Sequence, residues 1–336
     1  MFSSSKAQQR DSIQSSSIFE PLEGRRLLSA AATLTEGADL TDIGGSAGLH
    51  RGTLAIRGRS LDDHVTIFRV GSDDLGVKLN GHEFHVALSD VSQIRVETFR
   101  GNDSIEFQDD NGPISITSRI YGGGGNDTIS GGATRDRIHG DDGDDSILGN
   151  GGKDIVYGDT GDDSIFGGVG KDFEHGDAGD DSISGDRDND TCFGGDGRDT
   201  MRGGDGNDRL EGETNPDHIF GEAGDDSLNG GGGDDDVNGD AGDDSILGGT
   251  GDDNLHGGLD DDSIDGGAGD DDCAGDDGVN HVHGGQGNDD FDDHDINDDR
   301  GGDDDGNNGH GSDDGATDDN GGGGHGADDL VGQLMP

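Results

Sequence analysis

From Gly122 to Asp292 an apolar residue returns every ninth position, commonly alone between polar flankers, as in Arg137-Ile138-His139 and Ser182-Ile183-Ser184. One inward side chain with outward neighbours is a short strand by two-residue alternation. Three units show the frame: Gly140-Asp-Asp-Gly-Asp-Asp145-Ser-Ile147-Leu, Gly158-Asp-Thr-Gly-Asp-Asp163-Ser-Ile165-Phe and Gly248-Gly-Thr-Gly-Asp-Asp253-Asn-Leu255-His. Nineteen units follow without insertion or deletion, with glycine at position one in all 19. Position four is glycine in 15, the exceptions being Thr134, Asp188, Asn215 and Asp260. Position six is aspartate in 18, with Asn280 the exception, and position eight is apolar in 18, with Glu174 the exception. A fixed period of this kind outranks local propensity.

Upstream, residues 51–121 alternate apolar and polar positions through Leu54 and Ile56, Val65 and Ile67, Val77 and Leu79, Ile94 and Val96, and Ile105 and Phe107. Gly58, Gly71, Gly81, Gly101 and Gly112 punctuate these runs as turns. The pattern predicts a small β-rich cap that covers the first edge of a longer stack, because a bare sheet edge invites aggregation. Within it, Gly101-Asn102-Asp103-Ser104-Ile105 previews the repeat. Residues 1–50 and 293–336 have no such periodicity and are expected to be disordered, the second as an acidic Gly/Asp-rich tail.

Glycines at positions one, two and four allow positive φ and a tight turn. One turn and one strand reverse the chain, so two units close one coil and the coils stack in parallel. The expected fold is all-β: a parallel β-roll, a right-handed β-solenoid of nonapeptides. At about 4.8 Å per strand the stack is about 45 Å long. Every eighteenth residue then lies above its counterpart. The position-six aspartates line up along two rims: Asp127, Asp145, Asp163, Asp181, Asp199, Asp217, Asp235, Asp253, Asp271 and Asp289 on one, Asp136, Asp154, Asp172, Asp190, Asp208, Asp226, Asp244 and Asp262 on the other.

Charge gives this alignment its meaning. The 336 residues carry a formal −57, of which −5 falls in residues 1–121 and −52 in 122–336. Such a chain repels phosphate, which excludes a nucleic-acid binder. With 25% hydrophobic residues and no tryptophan, it is no conventional enzyme with a thick core. No apolar stretch of about 18 residues predicts a membrane span. Stacked carboxylates clash unless a cation lies between them, and hard oxygen donors select Ca²⁺. The 19 units offer 17 inter-coil slots. One file of apolar side chains per sheet, at about 1.5–3 kcal/mol each, does not offset about 1–2 kcal/mol of backbone ordering per residue, so the ion is expected to be structural.

The unit G-G-x-G-x-D-x-U-x resembles the hemolysin-type, or RTX, calcium-binding repeat family. The resemblance implies a calcium-loaded β-roll in an exported protein, with Ca²⁺ held by the position-six aspartates. It also implies weaker slots around Asn280, altered turns at the four non-glycine fourth positions, and a weak point at Glu174, which faces the core by register. A second resemblance covers Phe19-Glu20-Pro21-Leu22-Glu23-Gly24-Arg25-Arg26-Leu27-Leu28-Ser29-Ala30, which is similar to the LEPR-XLL segment of planctomycete-type surface proteins, with Gly24 where proline is usual. It implies export.

Other signals are bland. Cys192 and Cys273 are nine units apart, on opposite sheets, and read as buried hydrophobes rather than a bridge. His82-Glu83-Phe84-His85 has the wrong spacing for a zincin, and His281 and His283 share an outward face as solvated histidines. The expected function is calcium binding by a secreted or cell-surface protein that is not an enzyme and folds on taking up the ion. The alternatives are a calcium-dependent adhesion or matrix module that contacts polysaccharide, and the calcium-binding part of a toxin or extracellular enzyme.

Overall fold

The structure is a computed structural model that describes residues 32–34, 39–40, 45–109 and 111–292. The segment 19–30 and the tail from 293 lie outside the described residues.

The N-terminal strands are β1 (Ala32–Leu34), β2 (Asp39–Leu40), β3 (Ser46–His50), β4 (Thr53–Arg57), β5 (His64–Val70), β6 (Asp74–Leu79), β7 (His82–Ala87), β8 (Gln93–Glu97) and β9 (Ser104–Gln108). Then β10 (Ser118–Gly124), β11 (Thr128–Ser130) and β12 (Asp136–Asp142) begin a series of one strand per nonapeptide, ending at Asp290–Asp292. The strands form two sheets. The first, of 15 strands, runs β1-β7-β6-β5-β9-β11 and on through alternate units; the second, of 14, runs β2-β3-β4-β8-β10-β12 and on. From β5 and β4 onward every neighbour is parallel, and within the repeats residue n pairs with n+18, as in Ile147 with Ile165. This is the expected parallel β-solenoid.

The cap seals the first coil with antiparallel strands: the meander β5-β6-β7 extends the first sheet and the hairpin β3-β4 the second. The hairpin straddles position 51, so the β cap takes in residues that the sequence pattern assigns to a disordered N-terminus. Its interior is thick, with Leu49, Ile56, Ile67, Leu75, Leu79 and Phe84 all fully buried. In the roll the interior thins to one apolar residue per unit from Ile129 to Val282 within the same core, with Glu174 as the one interruption.

Apart from the triplets Thr128–Ser130 and Asp290–Asp292, strands in the roll are six or seven residues long, such as Ser146–Gly152, rather than the expected triplet. Backbone pairing continues past the apolar residue into positions two and three, as in Asn150 with Gly168 and Gly151 with Val169. Positions six, eight and one point inward together, so the core carries an aspartate and a glycine beside each apolar side chain.

The glycines divide by role. Positions two and four take positive φ, for example Gly168 (108°) and Gly170 (149°). Asp141 (76°) and Asp159 (73°) take it at position two, and Asp188 (72°), Asn215 (75°) and Asp260 (79°) at position four. Thr134 does not, nor does Gly132 of the same unit, so that one turn follows a different path. Position one needs glycine for space instead of for φ, which corrects the sequence expectation. A Cβ on Gly158 would collide with Asp163 Oδ2 and lie 2.7 Å from the Gly176 carbonyl oxygen.

Candidate metal centre

Each position-six aspartate ends a turn and starts a strand, with its side chain inward. Its carbonyl accepts from the position-seven N–H of the next coil, as Asp127 O does from Ser146 N at 2.9 Å. Its own N–H donates to Oδ1 of the aspartate 18 residues on: Asp127 to Asp145, Asp145 to Asp163 and Asp136 to Asp154, each at 2.7 Å. The bonds run unbroken along both rims, reaching Asp289 on one and Asn280 on the other. All 17 aspartates from Asp127 to Asp271 are no more than 3% exposed; Asp289, in the last coil, is half-buried.

The second oxygen is different. In 16 of those 17 aspartates Oδ2 is buried with no hydrogen-bond partner; only Asp136 Oδ2 has one, the Gly132 N–H at 2.7 Å. Asn280 shows what the position asks for. Its Oδ1 accepts from Asp262 N–H at 2.8 Å like the aspartates, and its Nδ2, standing where the others carry Oδ2, donates to the Gly275 carbonyl at 2.7 Å. A donor is satisfied there. An ionised oxygen is not, and needs a proton or a cation.

The acidities agree. Burial first, then neighbouring aspartates, push the carboxyls up against the backbone N–H that each accepts. Asp127, Asp145, Asp163, Asp244 and Asp253 rise to about 7. Asp154, Asp181, Asp190, Asp217 and Asp226 rise to about 8. Asp136, Asp199, Asp235 and Asp262 rise to about 6, and burial moves Asp172, Asp208 and Asp271 in the same direction.

A second, exposed ladder runs the opposite way at position five. Asp180 N–H donates back to Asp162 Oδ1 at 2.9 Å, and Asp270 N–H to Asp252 Oδ1 at 2.9 Å. On the first rim this second row carries Asp144, Asp162 and Asp180, then Asp234, Asp252 and Asp270; on the second it is basic at Arg135, Lys153 and Lys171 and acidic only at Asp225, Asp243 and Asp261. The carboxylates and the glycine carbonyls beside them are hard oxygen donors, and the unpartnered Oδ2 atoms fit a hard divalent cation.

The sequence pattern missed that the first rim continues into the cap. Asp103 N–H donates to Asp127 Oδ1 at 2.7 Å, and Asp63 N–H to Asp103 Oδ1 at 2.6 Å. Asp103 Oδ2 is buried without a partner, whereas Asp63 accepts at both oxygens, from Asn80 Nδ2 and Arg59 N–H, each at 2.5 Å. The available signal was the D-x-apolar wording of Asp63-His64-Val65 and Asp103-Ser104-Ile105. The second rim begins at Ser118, whose N–H reaches Asp136 Oδ1 at 2.9 Å.

Glu174 is fully buried between Val156 and Cys192, its Oε2 3.4 Å from Cys192 Sγ and its Oε1 unpartnered. Burial and the nearby aspartates hold its carboxyl well above the ordinary range. Cys192 and Cys273 are free, buried and on opposite sheets. His85 pairs with Glu83 at 3.1 Å on an outward face, and His281 and His283 are exposed around Val282. Among the described residues no helix is long and apolar enough to cross a membrane.

The family model of the RTX calcium-binding nonapeptide repeat matches this region in seven overlapping stretches: residues 121–156, 139–174, 166–201, 202–237, 211–246, 238–273 and 247–282. Together they run from β10 through nearly all of the roll. No curated protein matches the chain.

Proposed function

We propose that this chain, with RTX calcium-binding nonapeptide repeats over residues 121–282, binds a row of Ca²⁺ ions along each rim of the roll and becomes ordered on doing so. The observation that carries this reading is the file of buried, unpartnered Oδ2 atoms. The position-six aspartates hold the ion from successive coils, with turn carbonyls beside them and, in units such as those of Asp162, Asp180 and Asp252, a position-five carboxylate as well. Bound Ca²⁺ supplies the positive charge that lets these carboxylates stay ionised and buried together. Asp136 and Asn280, whose inner atoms already have partners, hold it least. Without the ion, each coil sets buried like charges above one another, and the open chain is favoured by self-repulsion.

In this reading the chain binds rather than catalyses, and its place is outside the cell or on its surface. Ca²⁺ is scarce in the cytosol and plentiful outside, so coupling binding to folding keeps the chain open until it is exported. Far-UV circular dichroism of chelator-treated protein titrated with Ca²⁺ tests this, with calorimetry to count ions. A gain of β signal with many ions bound per chain supports the reading. No gain by millimolar Ca²⁺ rejects it.

A further inference from the structure

A different group of ligands stands on the outward face of the second sheet. Position nine of successive coils there carries Tyr121, His139, Tyr157, His175 and Phe193. The imidazole of His139 is stacked between Tyr121 (5.3 Å, 5°) and Tyr157 (4.7 Å, 7°). Its ring plane is thereby fixed, with Nδ1 2.9 Å from Asp159 Oδ2. Asp159 is the register partner of Asp141 one coil below and of Asp177 one coil above. Like charges directly opposite on neighbouring strands are destabilising. His139, Asp141 and Asp159 each offer a ligand atom within 4.8 Å of the other two. Asp177 Oδ2, the next carboxylate oxygen along, is buried without a partner.

We propose that His139, Asp159 and Asp141 form a transition-metal site of the Zn²⁺ class, separate from the calcium rims. One imidazole nitrogen with two carboxylates is a three-ligand set for such a metal, with water in the fourth position. Ca²⁺ takes oxygen donors, so saturating the rims leaves this nitrogen-containing site free. Ligands about 2.1 Å from one metal lie at most about 4.2 Å apart, so the carboxylates must draw in by a few tenths of an ångström. Both are half-buried side chains.

Arg137 sets the resting state. Its Nε–H donates to His139 Nε2 at 3.2 Å, which leaves the ring proton on Nδ1, facing Asp159. A metal on Nδ1 moves that proton to Nε2, where it meets the Arg137 N–H. Arg137, an exposed side chain, must swing away. Removing it therefore tightens binding.

The test is a Co²⁺ titration of the full chain in saturating Ca²⁺, followed by visible absorption, with Zn²⁺ displacement read by calorimetry. One Co²⁺ with d–d bands that Zn²⁺ abolishes is expected. H139A and D159N should weaken binding by at least tenfold with unchanged far-UV dichroism, and R137A should strengthen it several-fold. Absence of the bands overturns the proposal. So does a titration that H139A leaves unaltered, or bands lost only in a variant with His281→Ala and His283→Ala.

Discussion

The backbone N–H of Asp127 donates to Oδ1 of Asp145 at 2.7 Å, while Oδ2 of the same Asp145 is buried with no partner. Half of each carboxylate thus joins one coil to the next, and the other half needs something the chain does not supply. Where it finds nothing, it is the least stable element of the roll.

The pH dependence follows. An unfolded aspartate titrates near 3.8, whereas Asp154, Asp181 and Asp217 in the metal-free roll rise to about 8. A raised acid binds more protons folded than unfolded, so its contribution favours the fold at about pH 4 and is lost as pH climbs through 6–8. Chelated protein should show strong β dichroism near pH 4–5 and lose it by pH 8. With Ca²⁺ present, the roll should persist at pH 8 and release ions on acidification. Metal-free β content that does not fall between pH 5 and 8 would contradict this.

Asp244→Asn reproduces Asn280 two rungs away on the same rim. Its Oδ1 still accepts from Asp226 N–H, now at 2.7 Å, and the new Nδ2 can donate where Oδ2 had no partner. The variant should gain about 1–3 kcal/mol of metal-free stability at neutral pH, as expected for satisfying a buried polar atom. It should bind fewer Ca²⁺ ions. Chelated melts and calorimetric stoichiometry measure the two effects together.

Asp103 joins cap to roll through bonds to Asp63 and Asp127. Asp103→Ala leaves the buried Asp63 N–H without an acceptor and should cost about 1–3 kcal/mol. Asp103→Asn keeps that acceptor and should lose much less. Hydrogen exchange at Asp63 and Ser104 should quicken in the alanine variant alone.

Glu174→Val should stabilise the roll by about 1–3 kcal/mol, with or without Ca²⁺, because it replaces a buried acid with the apolar residue that the other units carry. Thermal melts in chelator and in Ca²⁺ should shift upward in parallel. A destabilised variant would assign Glu174 a role beyond its place in the core.

Two glycines, neither with positive φ, separate space from flexibility. Gly158→Ala puts a methyl against Asp163 Oδ2 and the Gly176 carbonyl, whereas at Gly151 a Cβ meets nothing closer than 3.8 Å. The first should cost about 1–3 kcal/mol as overpacking and lower Ca²⁺ affinity nearby. The second should be close to neutral. Melts of the two single variants decide it.

The nine-residue period was enough to determine the coil, the parallel stack, the inward file of apolar residues and the opposite faces of Cys192 and Cys273. All of these follow from one local turn and one local strand repeated without interruption. The rims were legible for the same reason, since a spacing of 18 needs no knowledge of the rest of the chain. Asp63 and Asp103 were not, because spacings of 40 and 24 residues acquire meaning only once the cap strands have paired. Nor was the reason for the first glycine, which lies in a carboxylate folded back over it, or the meeting of His139 with Asp159, which joins position nine of one coil to position two of the next. Local spacing sets which residues face inward; the contacts between coils depend on how side chains close across strands, and only the stacked structure decides that.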